Sequence, residues 1–146
     1  MRQFTSWLYQ GNQEDADENM WRPAGITRIV RVSTISTKKE IPFSSTGNFL
    51  YLWCPFDDNG EMLTEEILLH IEAFAKIKPF DPLLVHCIAG QNRSVITSAY
   101  LLCRVNGYKD YEAVDLIRQK HDDLNVYKTL VEKVKLLTDL DFAGLV

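Results

Sequence analysis

Residues 83–105 constrain the fold of this chain more than any other stretch. An apolar run, LLVH at 83–86, follows the proline-bounded segment KPFDP and precedes the polar turn CIAGQNRS. A continuous apolar run is typical of a strand covered on both faces, as in a mostly parallel sheet. We therefore predict a central buried strand over 83–86, a loop, and a helix over 93–105 that ends before Gly107.

Local pattern predicts two more strands and three more helices. The strands are rich in β-branched and aromatic residues, and the helices show apolar residues at helical spacing or begin at a polar residue suited to a helix start. Thr64 suits the N-cap of the first of these helices, because two glutamates follow it in the first turn. The strands are RIVRV at 28–32 and FLYLW at 49–53, and the helices are 64–77, 110–120 and 126–138.

The composition fits one folded unit. A chain of 146 residues, 46% hydrophobic and 25% charged, is long enough to bury a sizeable core. It contains no repeat, no low-complexity segment and no obvious linker. We therefore predict a single α/β domain over 1–146, with a central, mostly parallel mixed sheet flanked by helices.

Charge and cysteine content argue against several classes of protein. The net charge of -4 and the pI near 5.3 give no broad basic surface for nucleic acid or an anionic membrane. The N-terminus turns acidic before a signal peptide forms, and no long apolar stretch occurs, so we expect a soluble cytoplasmic protein without a membrane partner. The cysteines are odd in number and lack metal-type spacing, which argues against disulfides and against a metal; they are Cys54, Cys87 and Cys103.

The turn CIAGQNRS at 87–94 has the features of a phosphate site. A strand that turns into a helix places backbone N–H groups at the helix N-terminus, where they bind phosphate. Gly90 permits the positive φ or close approach that a ring of inward N–H groups needs, and Arg93 supplies a bidentate guanidinium. The residues expected to bind phosphate are Ile88, Ala89, Gly90, Gln91, Asn92 and Arg93.

Cys87 is the expected nucleophile. The inward N–H groups, the helix dipole and Arg93 all favour its thiolate over its thiol. A thiolate attacks phosphorus in line and gives a cysteinyl-phosphate that water later hydrolyses. The Ser94 hydroxyl helps the sulfur to leave, caps the helix, or does both. His86 is expected to order the loop backbone from behind rather than to touch substrate.

An acid for the leaving oxygen is expected within WCPFDDNGEM at 53–62. Expelling an alkoxide or phenolate is hard without a proton. The segment follows a predicted strand and carries Asp57 and Asp58 in a loop that can overhang the site. The residues alone leave open which aspartate is the acid, and an ordinary Asp-Asn-Gly turn is the alternative.

These segments resemble the small dual-specificity members of the protein tyrosine phosphatase superfamily. HCIAGQNRS matches the family pattern HCxxGxxR followed by Ser or Thr, and YLWCPFDDN is similar to its strand and acid loop. WLYQGNQEDA and GITRIVRVST are similar to its first two strands. The resemblance implies a protein tyrosine phosphatase-like fold with Asp58 as the general acid.

The resemblance also implies an activity. It is metal-independent hydrolysis of phosphotyrosine, phosphoserine and phosphothreonine in proteins, through a cysteinyl-phosphate intermediate and without a cofactor. The expected partner is a phosphorylated protein or peptide, and the oligomeric state is left open. In the helix after the catalytic one, where the family often carries arginines, stand Arg118 and Lys120, and we expect His121 to be a solvated residue at its end.

Other functions share part of this pattern. Asn92 before the arginine also occurs in related RNA 5'-triphosphatases, which generally lack the aspartate. A non-catalytic phosphate-binding module needs the loop but not the chemistry. Inositide phosphatases tend to carry lysines in this loop, which is neutral over 88–92, and rhodanese-type sulfurtransferases use a shorter loop.

Overall fold

The computed structural model describes residues 1–34, 45–46 and 49–146. Over these residues the strands are β1 Arg2–Gln3, β2 Leu8–Gly11, β3 Arg28–Arg31, β4 Ser45–Thr46, β5 Phe49–Trp53 and β6 Leu83–His86. They form one sheet in the order β1-β2-β6-β3-β5-β4. The four inner strands run parallel and the two edge strands antiparallel, which confirms the predicted mostly parallel mixed sheet.

Helices cover both faces of this sheet. They are α1 Glu18–Trp21, α2 Glu65–Ile77, α3 Arg93–Asn106, α4 Asp110–Lys120 and α5 Lys128–Thr138, with 3-10 turns at Glu14–Ala16 and Ala143–Leu145. Alternate residues of a strand face opposite sides, so Val85 of β6 packs into the main core beside α2 to α5. Leu84 instead joins a smaller cluster on the other face. The central strand is thus buried on both faces, as its apolar sequence predicts.

Helix α3 is the central helix of the core. It packs against β2 and β6 and against α2, α4 and α5. Its residues 93–102 are all buried. Gly107 ends the helix in the left-handed region at φ +73°, where glycine carries no Cβ penalty. The helix that begins at Arg93 is therefore held rigidly beneath the strand that leads into it.

The carboxyl ends of three parallel strands meet at one edge of the sheet. In register, His86 of β6 lies between Gly11 of β2 and Arg31 of β3. In open α/β sheets, ligands bind at the edge where such strands end. Cys87 is the first residue beyond this edge, so the predicted site stands where the topology favours one.

Most predicted elements agree with the structure. The strands over 28–32, 49–53 and 83–86 and the helices over 64–77, 93–105 and 110–120 are present within one residue at each end. Thr64 caps α2 as predicted, since its Oγ1 accepts a hydrogen bond from Ile67 N at 3.2 Å. The last helix begins at Lys128, not at 126. Local pattern did not predict β1, β4 or α1, and β2 was expected only from the family resemblance.

Candidate active site

The loop between β6 and α3 packs tightly against the end of β2. Gly90 has φ +73°, and a Cβ built on it would lie 3.0 Å from the backbone of Gly11 and Asn12. Any side chain at this position would therefore be both strained and obstructed by backbone atoms. The sequence-based expectation of a positive φ or close approach at Gly90 is met in both respects.

Hydrogen bonds from outside hold the carbonyl groups of this loop. Ile88 O, Gly90 O and Gln91 O are the acceptors. The donors are Gln13 N to Ile88 O at 3.0 Å, Gln10 Nε2 and His121 Nε2 to Gly90 O at 2.7 and 2.8 Å, and Asn125 N to Gln91 O at 3.2 Å. In a planar trans peptide the N–H points away from the C=O, so the N–H groups that follow are turned inward. No backbone N–H of residues 88–93 donates to another described residue, which leaves them available to an anion.

Cys87 lies at the base of a cavity of about 250 Å³. Its side chain is 2% exposed, and its Sγ is 3.1 Å from Ser94 Oγ. The lining residues are Asp58, Cys87, Ile88, Ala89, Gln91, Asn92, Arg93, Asn125 and Tyr127. The structure therefore brings the expected nucleophile, loop, arginine and one of the two aspartates to a single cavity.

Ser94 is not the N-cap of α3. The helix begins at Arg93, its N-cap is Asn92, and Ser94 lies inside the first turn. Its hydroxyl faces Cys87 instead, within reach of Gly11 O at 3.4 Å. The capping alternative is thus wrong, because the helix begins two residues earlier than that alternative requires.

Arg93 is a buried cation at the N-terminus of α3. It is 6% exposed, and its Nη1 donates to Phe56 O at 3.2 Å. Its Nε lies 2.9 Å from Asp58 Oδ1, an ion pair in which the N–H does not point straight at the oxygen. These two contacts join the guanidinium to the loop after β5, so Arg93 fixes the distance between the phosphate loop and the acid loop.

Asn92 makes a second link between the two loops. Its Nδ2 donates to Asp58 O at 3.0 Å and to Asp58 Oδ1 at 3.2 Å. Its Oδ1 accepts from Tyr127 N at 2.9 Å. From the sequence, Asn92 was expected to bind phosphate and was noted as a feature shared with RNA 5'-triphosphatases. In the structure its amide holds the aspartate loop and the N-terminus of α5 against the phosphate loop.

Asp57 and Asp58 have different surroundings. Asp57 accepts from Met62 N at 2.7 Å and from Glu61 N at 3.2 Å, outside the cavity. Burial raises the pKa of Asp57, but these backbone hydrogen bonds outweigh it and hold the pKa below its ordinary value. Asp57 therefore closes the turn, and Asp58 is the aspartate that lines the cavity.

His86 lies behind the loop, in the sheet. It is 1% exposed, and its Nδ1 is 3.5 Å from Cys87 O, an acceptor that requires the proton on Nδ1. Burial lowers the pKa of His86 to about 4; the Cys87 carbonyl opposes this shift, and the positive charge of Arg31 adds to it. His86 is therefore a neutral group at pH 7, placed where the sequence interpretation expects it.

This buried histidine makes stability depend on pH. Because the pKa is lower in the folded state, the unfolded chain binds the extra proton, and stability falls as pH drops from 6.5 toward 4. Over that window His86 should contribute a loss of about 3 kcal/mol in the free energy of unfolding. Urea unfolding at pH 7 and pH 4.5 measures it, with His86→Gln showing a flatter dependence. His70, exposed on α2, provides the control His70→Gln, and equal pH dependence in all three proteins would contradict the prediction.

His121 is not the solvated helix-end residue that the sequence suggested. It is 2% exposed and donates from Nε2 to Gly90 O at 2.8 Å. Its Nδ1 accepts from Asp123 N at 3.2 Å, which assigns the proton to Nε2. Burial lowers the pKa of His121, with the Gly90 carbonyl acting against it. The prediction failed because the chain after α4 folds back over the phosphate loop.

Two further side chains differ from sequence expectation in their placement. Gln10 of β2 was not singled out in the sequence, yet it is buried and contacts both Gly90 O and Ser94 Oγ. Arg118 turns away from the site and donates to Gly144 O and Val146 O at the C-terminus. A polar residue in the β2 segment, two positions after the buried Leu8 and therefore on the same face of the strand, is the signal that could have pointed to Gln10.

The sequence matches a known family over most of its length. Residues 8–137 match the family described as Dual specificity phosphatase, catalytic domain. The chain belongs to this family. It is therefore a phosphatase of the protein-tyrosine or dual-specificity type, and the cysteinyl-phosphate mechanism is typical of its family. A comparison with curated proteins gives no significant match.

Solved structures share the fold. A human tyrosine phosphatase-like serine/threonine/tyrosine-interacting protein superposes with TM-score 0.76 at 20% identity, over 93% of each chain. Human DUSP28 gives 0.74 at 21% identity, over 95% of this chain and 96% of its own. A mouse putative dual specificity phosphatase complexed with zinc tungstate gives 0.74 at 23% identity, over 94% and 86%. These likenesses confirm the predicted protein tyrosine phosphatase-like fold.

The described part of the chain lacks both a membrane-length apolar helix and a cluster of metal-ligating side chains. Among residues 1–34, 45–46 and 49–146, no helix has the length and apolar character needed to cross a membrane. The same part of the chain contains no group of three or more His, Cys, Asp or Glu side chains arranged to hold a metal ion.

Proposed function

We propose that this phosphatase hydrolyses phosphate monoesters on proteins, with Cys87 as nucleophile, Arg93 as phosphate ligand and Asp58 as general acid. The observation that carries the proposal is that these three side chains line one cavity. The Cys87 thiolate attacks phosphorus, an S–P bond forms, and the P–O bond to the leaving group breaks. The leaving oxygen takes the proton of the Asp58 carboxyl group, so that an alcohol or phenol departs.

The second step returns the enzyme to its starting state. A water oxygen attacks the phosphorus of the cysteinyl-phosphate and gives its proton to the Asp58 carboxylate. The P–S bond breaks, and its electron pair returns to the Cys87 sulfur as a thiolate. Ser94 Oγ, 3.1 Å from that sulfur, donates a hydrogen bond to the new negative charge. Inorganic phosphate is then released from the loop.

The ion pair between Arg93 and Asp58 indicates that phosphate binds first and that Asp58 then moves to the leaving oxygen. In the ligand-free site the Asp58 carboxylate occupies one edge of the guanidinium, at 2.9 Å from Nε. A phosphate with two negative charges competes for the same donors and forms charge-assisted hydrogen bonds to them. Binding then frees the Asp58 carboxylate from the guanidinium. The carboxylate takes up a proton from solvent and faces the leaving oxygen, while Asn92 holds the Asp58 backbone in place.

The charge of the cavity favours a single phosphate group. Among the described residues that line it, Arg93 is the only cation. An RNA 5'-triphosphate or a polyphosphorylated inositide carries several negative charges and needs more positive partners than one arginine. The structure of PTPMT1 in complex with PI(5)P shares the fold at 14% identity, so an inositide belongs among the substrates tested. Phosphotyrosine and phosphoserine or phosphothreonine in proteins fit the site best.

A substrate panel tests the proposal. It contains a phosphotyrosine peptide, a phosphoserine peptide, an RNA 5'-triphosphate and PI(5)P, each assayed for released phosphate with a chelator present. Turnover of the peptides above the other two is the expected result. Faster turnover of the RNA or the inositide would contradict the protein substrate.

We place the reaction in the cytoplasm, where a nucleophilic thiol such as Cys87 stays reduced.

Asp58→Asn should slow the release of poor leaving groups most. An alkyl phosphate such as phosphoserine needs a proton on its leaving oxygen, so kcat/KM should fall by about 10²- to 10³-fold. An activated aryl phosphate leaves without that help and should lose less than about tenfold. Comparison of the two substrates with the same enzyme measures the difference. Asp57→Asn is the matched control, because Asp57 caps the adjacent turn outside the cavity.

Two results would count against this assignment. Equal losses on both substrates would mean that Asp58 does not protonate the leaving oxygen. A selective loss in Asp57→Asn, with Asp58→Asn unaffected, would mean that the acid loop turns over when substrate binds.

A further inference from the structure

A buried glutamine lies beside the nucleophile and has no part in the reaction described above. Gln10 on β2 is 0% exposed. Because β2 pairs with β6 and sets Gln10 opposite Val85, the side chain reaches beneath the loop that follows β6. Its Nε2 lies 2.7 Å from Gly90 O and 2.8 Å from Ser94 Oγ.

The two partners fix the orientation of the amide. Gly90 O only accepts hydrogen bonds, so the NH₂ end of Gln10 must face it. That NH₂ group has two hydrogens, and the second points to Ser94 Oγ. Ser94 Oγ is therefore an acceptor toward Gln10, and its own hydrogen is left for Cys87 Sγ at 3.1 Å or Gly11 O at 3.4 Å.

We propose that Gln10 is a positioning residue for the second chemical step, a role that rests on the proposed function. By donating to Ser94 Oγ, Gln10 holds that oxygen and directs the hydroxyl hydrogen toward Cys87 Sγ. When the P–S bond of the cysteinyl-phosphate breaks and its electron pair returns to sulfur, the Ser94 O–H is already aimed at the thiolate. Such preorganised donors need no rearrangement as charge develops.

The other half of the amide argues for the same role. Gln10 Oε1 is buried and makes no hydrogen bond to any described residue. A buried carbonyl without a partner is costly, and an apolar side chain of the same size would avoid that cost. The amide is therefore retained for its NH₂ donors, and the stability of the fold does not require it.

The two contacts of Gln10 differ in whether His121 can replace the lost donor. Gly90 O accepts a second hydrogen bond from His121 Nε2 at 2.8 Å, so the loop keeps one donor when Gln10 is replaced. Ser94 Oγ accepts from Gln10 alone among the side chains whose bonds the structure describes. Loss of Gln10 should therefore affect Ser94 and the departure of sulfur more than phosphate binding.

Gln10→Met keeps the length of the side chain and removes both donors. With an aryl phosphate, kcat should fall roughly fivefold to tenfold, the effect of losing one hydrogen bond between neutral groups. KM should fall with it, so that kcat/KM, which reports formation of the cysteinyl-phosphate, changes by less than about twofold. Rapid-mixing measurements should show a burst of released phenol approaching about one equivalent per enzyme before slow turnover.

A double-mutant cycle with Ser94→Ala tests whether Gln10 acts through Ser94. In the Ser94→Ala background, Gln10→Met should cause no further loss of kcat. Gln10→Asn retains the amide on a side chain that is too short, and it should behave like Gln10→Met. Tyr9→Phe is the control, since Tyr9 faces the other side of the sheet, and it should leave kcat unchanged.

Several outcomes would overturn the proposal. Equal losses in kcat and kcat/KM, a further loss in the Ser94→Ala background, or a lower Tm in both Gln10 variants would show that Gln10 supports the fold or the loop. A wild-type enzyme that turns over substrate with no change in either Gln10 variant would refute this role alone. A wild-type enzyme that forms no cysteinyl-phosphate would refute the proposed function as well.

Discussion

Cys87→Ser is expected to lower turnover of an aryl phosphate by at least about 10⁴-fold while tungstate still binds. A serine hydroxyl is not ionised at neutral pH. Among the described residues that line the cavity the only carboxylate is Asp58, which the proposed reaction places at the leaving oxygen. The anion site itself depends on backbone N–H groups and Arg93, which the substitution leaves in place. Steady-state kinetics give the first quantity, and calorimetric titration with tungstate gives the second.

The other cysteines provide the controls. Burial raises the pKa of Cys103 to about 11, with Asp110 adding to it, and burial also raises the pKa of Cys54. Both are therefore thiols at neutral pH and poor nucleophiles. Cys103→Ser should keep full activity. Tungstate binding with no turnover in either wild type or Cys87→Ser would contradict the prediction and leave a non-catalytic phosphate-binding protein.

The strand, loop and helix from 83 to 105 could be predicted because their determinants are local. The apolar strand, the glycine and the arginine follow one another within a few residues, and the loop closes on its own helix. The pairing of β2 beside β6 is not local, since about seventy residues separate the two strands. Gln10 therefore came to the site through sheet topology, which the pattern of its own segment does not encode.

His121 shows a second limit of local pattern. A polar residue at a helix end is usually solvated, and the sequence interpretation followed that rule. Whether such a residue is covered depends on the path of the chain beyond it. Here residues after α4 return across the phosphate loop, where Asn125 N also donates to Gln91 O, and they bury the imidazole against Gly90 O.

The choice between Asp57 and Asp58 shows the same dependence on tertiary structure. The two carboxylates are adjacent in sequence and identical in chemistry. Which one faces the cavity depends on how the turn closes: Asp57 binds the N–H groups of residues 61 and 62, and the next side chain is directed to Arg93. The family resemblance suggested Asp58, and the residues alone did not distinguish the two.

Arg93→Lys should lower kcat/KM by about 10²- to 10³-fold although the positive charge is kept. The guanidinium binds Phe56 O through Nη1, and its Nε lies beside Asp58 until phosphate displaces that carboxylate. A lysine ammonium is a single point charge and cannot make these contacts together. Arg104→Lys, half-exposed in the last turn of the same helix, is the matched control and should have little effect.

The contacts of Arg93 also predict how Arg93→Lys and Asp58→Asn combine in a double variant. If Arg93 sets the position of the acid loop as well as binding phosphate, Arg93→Lys disturbs Asp58 too. The loss from Asp58→Asn on an alkyl phosphate should then be smaller in the Arg93→Lys background than in wild type, because residues in one network are not additive. Full additivity would mean that Asn92, through its bonds to the Asp58 backbone and carboxylate, holds the acid loop without help from Arg93.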